Sequence, residues 1–153
     1  MPEPHASPSP AESRRFVVRR ILRFADCDPA GIAFYPRLCE QINNLVEDWF
    51  GEALGYGFPR LHDELERGVP IVRLEVDFSA PGRMGDEIAW SLAVRALGKS
   101  SVTLEIRAEP PAGKPVLTAE ARLVHCDMAT GTPVPVPFPD EVRARMAGFL
   151  VED

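Results

Sequence analysis

The 153-residue chain is 45% hydrophobic, 8% aromatic and 26% charged, the balance of one globular domain able to build a core, which excludes disorder throughout and a collagen-like repeat. Its 17 Lys and Arg against 23 Asp and Glu give a net charge of −6, so no basic surplus recruits nucleic acid or an anionic membrane, and any anionic ligand must be met by a local basic cluster. Cys27, Cys39 and Cys126 are widely spaced with no CxxC pair. They form no structural metal quartet and suit a reducing compartment. With no apolar run long enough to span a bilayer and no export signal, the expected location is the cytoplasm.

Residues 1–13 carry Pro2, Pro4, Pro8 and Pro10 among serines and almost nothing to bury, so they are expected to be a flexible tail ahead of a single domain over 14–153. From Arg15 to Phe24 the β-branched and aromatic residues predict a first strand, with Phe16, Val18, Leu22 and Phe24 on one parity, interrupted by Arg20. Asp, Gly and Pro then break the pattern over Ala25 to Pro36, and Pro36 suits the first turn of a helix, where its missing N–H is no loss. After it, Leu38, Ile42, Leu45, Val46, Trp49 and Phe50 draw one apolar helical stripe, which Gly51, Gly55 and Gly57 bring to an end. The stretch Phe58 to Gly68 reads as loop with one short helical turn.

The second half predicts strand after strand, each expected to bury one face only. Val72, Leu74, Val76 and Phe78 alternate with charged residues. Ile88, Trp90, Leu92, Val94 and Ala96 follow, then Val102, Leu104, Ile106 and Ala108 across the Gly98-Lys99-Ser100 turn, then Leu117, Ala119, Ala121 and Leu123. The prolines of Pro133 to Pro139 require an extended path along a surface, and Asp140 to Phe149 fits a short closing helix with Val142, Met146 and Phe149 on one side. One strand, one long apolar helix and four strands predict an α+β protein, an antiparallel sheet of about five strands wrapped around the helix.

No GxSxG elbow, GxGxxG turn, Walker lysine loop or HExxH is present. The densest unusual chemistry lies in Asp26-Cys27-Asp28-Pro29-Ala30-Gly31-Ile32-Ala33-Phe34-Tyr35-Pro36. A calcium loop fails there, because Ala30 and Arg37 occupy ligand positions. A Cys27 nucleophile is opposed by the flanking carboxylates, which raise its pKa. His62 and His125 lie in no recognisable motif. Two readings stay open: a turn in which Asp26 or Asp28 binds backbone N–H groups, and a catalytic carboxylate, Asp28, held beside the unpaired N–H groups of a helix start near Tyr35, with Gly31 allowing close approach.

This segment, D-C-D-P-A-G-I followed by F-Y-P, resembles the signature of the 4-hydroxybenzoyl-CoA thioesterase branch of the hotdog-fold acyl-CoA thioesterases, and Val69-Pro70-Ile71-Val72 leading to Phe78 is similar to that family's second strand. The resemblance covers about Phe16 to Cys126. It implies an acyl-CoA substrate, no cofactor and no metal, and a homodimer or homotetramer whose active sites lie at the dimer interface. It also implies that Asp28 is the nucleophile or general base and that the Tyr35 backbone N–H polarises the thioester carbonyl, with Gly31 in the loop between them. Phe34 and Asn43 are the expected acyl contacts; Asn43 is neutral where hydroxyaryl-specific relatives can carry an acid. Lys99, aided by Arg83, is the expected contact for coenzyme A phosphates. A hotdog dehydratase or hydratase and a non-catalytic acyl-thioester binding protein are the alternative functions.

Overall fold

The computed structural model describes residues 15–151; the expected tail at residues 1–13 lies outside them. The chain runs β1 (Phe16–Ile21), α1 (Tyr35–Asp48), β2 (Arg67–Gly68), β3 (Ile71–Phe78), β4 (Glu87–Leu97), β5 (Ser101–Glu109), β6 (Leu117–Val124), β7 (Cys126–Asp127), β8 (Val134–Pro135) and α2 (Asp140–Ala147). Five strands form one antiparallel sheet in the order β1-β4-β5-β6-β3. β1 and β3 are therefore its two edges, and α1, which lies between them in sequence, packs on one face of the sheet.

The apolar stripe of α1 explains why it lies there. Leu38, Ile42, Leu45, Val46, Trp49 and Phe50 are all buried in one cluster with Trp90, Leu92, Leu104, Ile106, Leu117 and Leu123 from the sheet. Each such side chain is worth about 1.5–3 kcal/mol when removed from water, and together they outweigh the modest propensities of the strands. The helix widens into a π turn at Trp49–Ala53 and stops at Gly55, whose φ of +62° suits glycine. In α2, Val142 and Met146 are buried as the spacing predicts; the helix ends at Ala147, short of the expected Phe149, which is half-buried in the turn that follows.

Three features depart from the sequence reading. The first strand stops at Ile21, and Phe24 sits in a short 3-10 turn, 82% exposed. In β4 the residues between the apolar ones are not all solvated: Ser91 and Ala93 are buried, because the Arg15 guanidinium lies over them and bonds Ser91 Oγ at 3.0 Å and Glu105 Oε1 at 3.2 Å. Most important for function, β3 buries its apolar face only in part. Ile71 and Val76 are half-buried against the core, while Val72 is 57%, Leu74 39% and Phe78 50% exposed. Its register opposite β6 puts Leu74 beside Ala121, Val76 beside Ala119 and Phe78 beside Leu117, so this is the helix-facing side of the sheet.

The Pro-rich segment runs extended, and it adds β8 to a small sheet with β7 and β2 that periodicity did not reveal, since each strand is only two residues long. His125 fastens this segment. Its Nδ1–H donates to the Val136 carbonyl at 3.0 Å, which leaves Nε2 to accept from the Tyr56 hydroxyl at 2.9 Å, and its ring stacks on Phe138.

Candidate active site

The segment from Asp26 to Phe34 is a loop between β1 and α1 closed by its own backbone. Cys27 and Ala33 pair as an antiparallel bridge, Asp28 N–H donates to Ile32 O, and Phe34 N–H donates to Asp26 O, both at 2.9 Å. The loop is also stitched to the chain before β4. Ala33 N–H donates to Gly82 O at 2.8 Å and Met84 N–H to Gly31 O at 3.1 Å. Gly82 lies so close to Leu22 that a Cβ there would fall 2.7 Å from Leu22 Cδ1, and Gly31 has a φ of +78°. Glycine is thus required at one position for space and at the other for backbone conformation.

Within this frame Asp28 is half-buried. Its Oδ1 accepts the N–H groups of Ala30 at 2.9 Å and Ile32 at 3.4 Å, while Oδ2 has no partner among the described residues. Asp26 behaves differently. Its Oδ2 accepts Arg23 N–H at 2.9 Å and so serves the turn. Asp28 thus makes the backbone bonds of the turn reading through Oδ1, and those bonds orient its unpaired Oδ2.

The start of α1 leaves a single donor. Pro36 has no N–H, and the N–H groups of Arg37 and Leu38 are both taken by the Phe34 carbonyl, at 2.9 and 3.3 Å. Tyr35 N–H is the remaining first-turn donor and is unpaired among the described residues. It carries the positive end of a 14-residue helix. Beside it lies a cleft of about 340 Å³ lined by Ile32, Ala33, Tyr35, Leu38, Phe78 and Gly82. The Tyr35 ring, 62% exposed, meets Phe78 edge to face at 6.3 Å, and Phe34 is 48% exposed next to it. Asp28 does not line this cleft within the protomer; it stands on the loop that leads to it.

Cys27 is ill-suited to nucleophilic work. Burial first, then the carboxylates of Asp26, Asp28 and Asp86, push its thiol above the ordinary range.

Other expected contacts are more dispersed. Asn43 lies two turns along α1, about 12 Å from Tyr35 by helical rise. It lines a second, mostly apolar pocket of about 280 Å³ with Val46, Phe58, His62, Ile71 and Met128. Since Tyr35 shares a cleft with Phe78 and Asn43 shares one with Ile71, α1 and β3 run in opposite directions, with the exposed apolar face of β3 between the two pockets. His62 had no assigned role from sequence, because nothing local signals that its loop returns to α1. Arg83 pairs its backbone with Ile32 and so belongs to the Asp28 loop. Lys99 does not. It sits in the turn at the far end of β4, a strand about 33 Å long by strand rise that separates it from Arg83, so one protomer does not bring these two cations together.

A five-stranded antiparallel sheet packed on one long helix is the hotdog fold. The sequence pattern of the Thioesterase-like superfamily matches residues 22–146, and the chain belongs to that family, a class of enzymes that hydrolyse thioesters. It is similar to a 1,4-dihydroxy-2-naphthoyl-CoA hydrolase of Prochlorococcus marinus (strain MIT 9515), at 25% identity over 83% of this chain and 85% of the relative. It is also similar to one of Synechococcus elongatus, at 27% identity over 82% and 90%. Among solved structures, a gentisyl-coenzyme A thioesterase superposes with a TM-score of 0.75 at 26% identity, covering 86% of this chain and 99% of the other. No helix among the described residues is long and apolar enough to cross a membrane.

Proposed function

We propose that this protein hydrolyses an aromatic acyl-CoA to free acid and coenzyme A, with Asp28 as nucleophile or general base. The observation that carries the proposal is two unsatisfied groups, one on the backbone-bonded loop and one where that loop enters α1: Asp28 Oδ2, oriented by the bonds to Oδ1, and Tyr35 N–H. As a general base, Asp28 takes a proton from water as its oxygen adds to the thioester carbon. The carbonyl oxygen becomes an oxyanion facing Tyr35 N–H, and collapse expels the thiolate, which takes up the proton. As a nucleophile, Asp28 Oδ2 adds to the thioester carbon and the C–S bond breaks to release the thiolate, leaving a mixed anhydride; water then opens the anhydride to the free acid and the Asp28 carboxylate, and the proton it loses goes to the thiolate. A well-placed oxyanion donor is worth on the order of 10²–10³ in rate. Gly31 keeps the loop in the turn that aims the carboxylate.

The aromatic acyl group is favoured by the ring surface of Phe34, Tyr35 and Phe78 beside the reacting groups, and by relatives named for naphthoyl and gentisyl thioesters. Asn43 offers a neutral polar contact at the far end of the helix flank. The uncovered face of β3 favours a homodimer in which two copies pair at this edge and close the site, working in the cytoplasm. Lys99 then contacts coenzyme A only at a site belonging to another protomer. Arg83 is the nearer of the two cations to the protomer's own loop.

The test is release of free thiol from a panel of benzoyl-, hydroxybenzoyl-, phenylacetyl- and straight-chain acyl-CoAs. Hydrolysis of the aromatic members supports the proposal; binding without thiol release would make the protein a carrier. A dehydratase or hydratase is disfavoured because such enzymes generally use a histidine in the site, and both His62 and His125 lie away from the Asp28 loop.

A further inference from the structure

The pocket of about 280 Å³ beside Asn43 holds two polar side chains that nothing in the protomer uses. Among the described residues the Asn43 amide and the His62 imidazole form no hydrogen bond and no ion pair. His62 is nonetheless held in place. It lies on the helical turn Arg60–Glu64, meets the Phe58 ring edge to face with centroids 5.5 Å apart at 87°, and sets its Cε1 against Gly68, 3.6 Å from where a Cβ would stand. Packing thus fixes the ring while both of its nitrogens stay open to a ligand. The rest of the wall is apolar, with Val46, Ile71, Leu123 and Met128, and no carboxylate among the described residues lines it. The charged neighbours of His62 on its own turn stay outside, and two of them, Arg60 and Glu64, face each other at 3.9 Å.

We infer that His62, with Asn43, selects acyl groups whose far end is a carboxylate. The inference rests on the reading of the protein as a hydrolase of aromatic acyl-CoA and deepens it by naming the class of acid released, an aromatic dicarboxylic acid. An apolar cavity with two convergent polar groups fits a flat ring body with one polar tip. The choice of tip follows from the donors. Asn43 offers an amide NH₂ and His62 a ring N–H, two once protonated, and a carboxylate only accepts. Hydrogen bonds to a charged oxygen are the stronger kind, and no acid in the wall repels it. Length then limits the body. Tyr35 and Asn43 are about 12 Å apart by helical rise; a hydrogen bond at each end takes about 3 Å, and the remainder is the length of two fused rings substituted at opposite ends. Leu74 and Val76 of β3, between the two pockets, are the apolar surface against which such a body lies.

The test compares 6-carboxy-2-naphthoyl-CoA with 6-methyl-2-naphthoyl-CoA, which has the same ring body and an apolar tip. Wild type should favour the carboxylate at least fivefold in kcat/KM, through KM and not kcat, because the tip is remote from the reacting carbon. In H62F, which keeps an aromatic ring against Phe58, that preference should fall to less than half, and H62Q, which restores a donor, should recover part of it. N43D supplies the acid that the wall lacks and should reverse the order of 6-carboxy-2-naphthoyl-CoA and 6-hydroxy-2-naphthoyl-CoA. Misfolding lowers every rate of one preparation alike and produces neither change. A smaller preference in wild type, one that survives in H62F, or an N43D with the wild-type order overturns the inference. Calorimetry with the matching naphthylmethyl thioethers of coenzyme A, which cannot be hydrolysed, keeps the inference apart from the hydrolase reading. Tighter binding of the carboxylate that is lost in H62F, in a protein that hydrolyses no thioester, would sustain the selection and remove the reaction; hydrolysis of both naphthoyl esters at equal kcat/KM would sustain the reaction and remove the selection.

Discussion

The N–H of Phe34 donates to the carbonyl oxygen of Asp26 at 2.9 Å, tying the residue that opens α1 to the start of the carboxylate loop. That bond links the two ends of the proposed chemistry, so the direction of Asp28 and the unpaired Tyr35 N–H are properties of one closed backbone unit and not of two independent elements.

If that unit positions the carboxylate, disturbing its one left-handed residue should be felt in rate more than in stability. Gly31 has a φ of +78° and open space around its Cα. Gly31→Ala meets no clash and should cost about 1–2 kcal/mol from backbone strain alone. Gly31→Asn, which tolerates that region better, should recover part of the loss. Thermal melting checks the stability order Gly > Asn > Ala, and hydrolysis rates should follow the same order more steeply.

The exposed face of β3 makes a second prediction. Leu74 is 39% exposed in the protomer, opposite Ala121. If a second copy covers this edge, Leu74→Asp places a charge in the contact and should yield monomers with little thioesterase activity but an intact fold. Light scattering after size exclusion, with circular dichroism, reads both; a fully active monomer would remove the dimer from the mechanism.

His125 makes stability depend on pH. Burial, above all, holds its imidazole below the ordinary range; the Val136 carbonyl opposes this and the Arg67 guanidinium adds to it. The unfolded chain therefore binds this proton more readily than the folded protein. The stabilisation from neutral His125 is complete above about pH 6.5 and is lost as pH falls from there toward the lower folded value. Melting temperature should drop between pH 7 and pH 5, and the drop should be smaller in H125Q. Glu105, held low despite its partial burial by Arg107, Arg15 and Arg95, loses its contribution only below about pH 4.5, a separate window.

Much of the fold was legible because its periods are strong. The α1 stripe and the alternation in β4, β5 and β6 each recur long enough for a core to select one face, and Pro36 marks the helix start. The apolar face of β3 departs from its expected burial for a physical reason: alternation shows that a face is apolar but not what covers it, and here the protomer covers Ile71 and Val76 only in part and leaves Leu74 and Phe78 exposed. The two-residue strands β2, β7 and β8 are too short to carry a period. In the candidate site, Asp28, Gly31 and Tyr35 are neighbours in sequence, so the segment that carries them stands out as a local pattern. The separation of Lys99 from Arg83 depends on the length and direction of β4, which no local pattern shows.

The most direct measurement is the turnover of Asp28→Asn on its best aromatic acyl-CoA. Asparagine keeps a side-chain carbonyl where Oδ1 accepts Ala30 and Ile32 N–H, so the loop and the melting temperature should stay close to wild type while kcat falls by about 100-fold or more. A folded D28N that retains more than about a tenth of wild-type turnover, a change in barrier below ~1.4 kcal/mol, would contradict the assignment of Asp28 to the reaction.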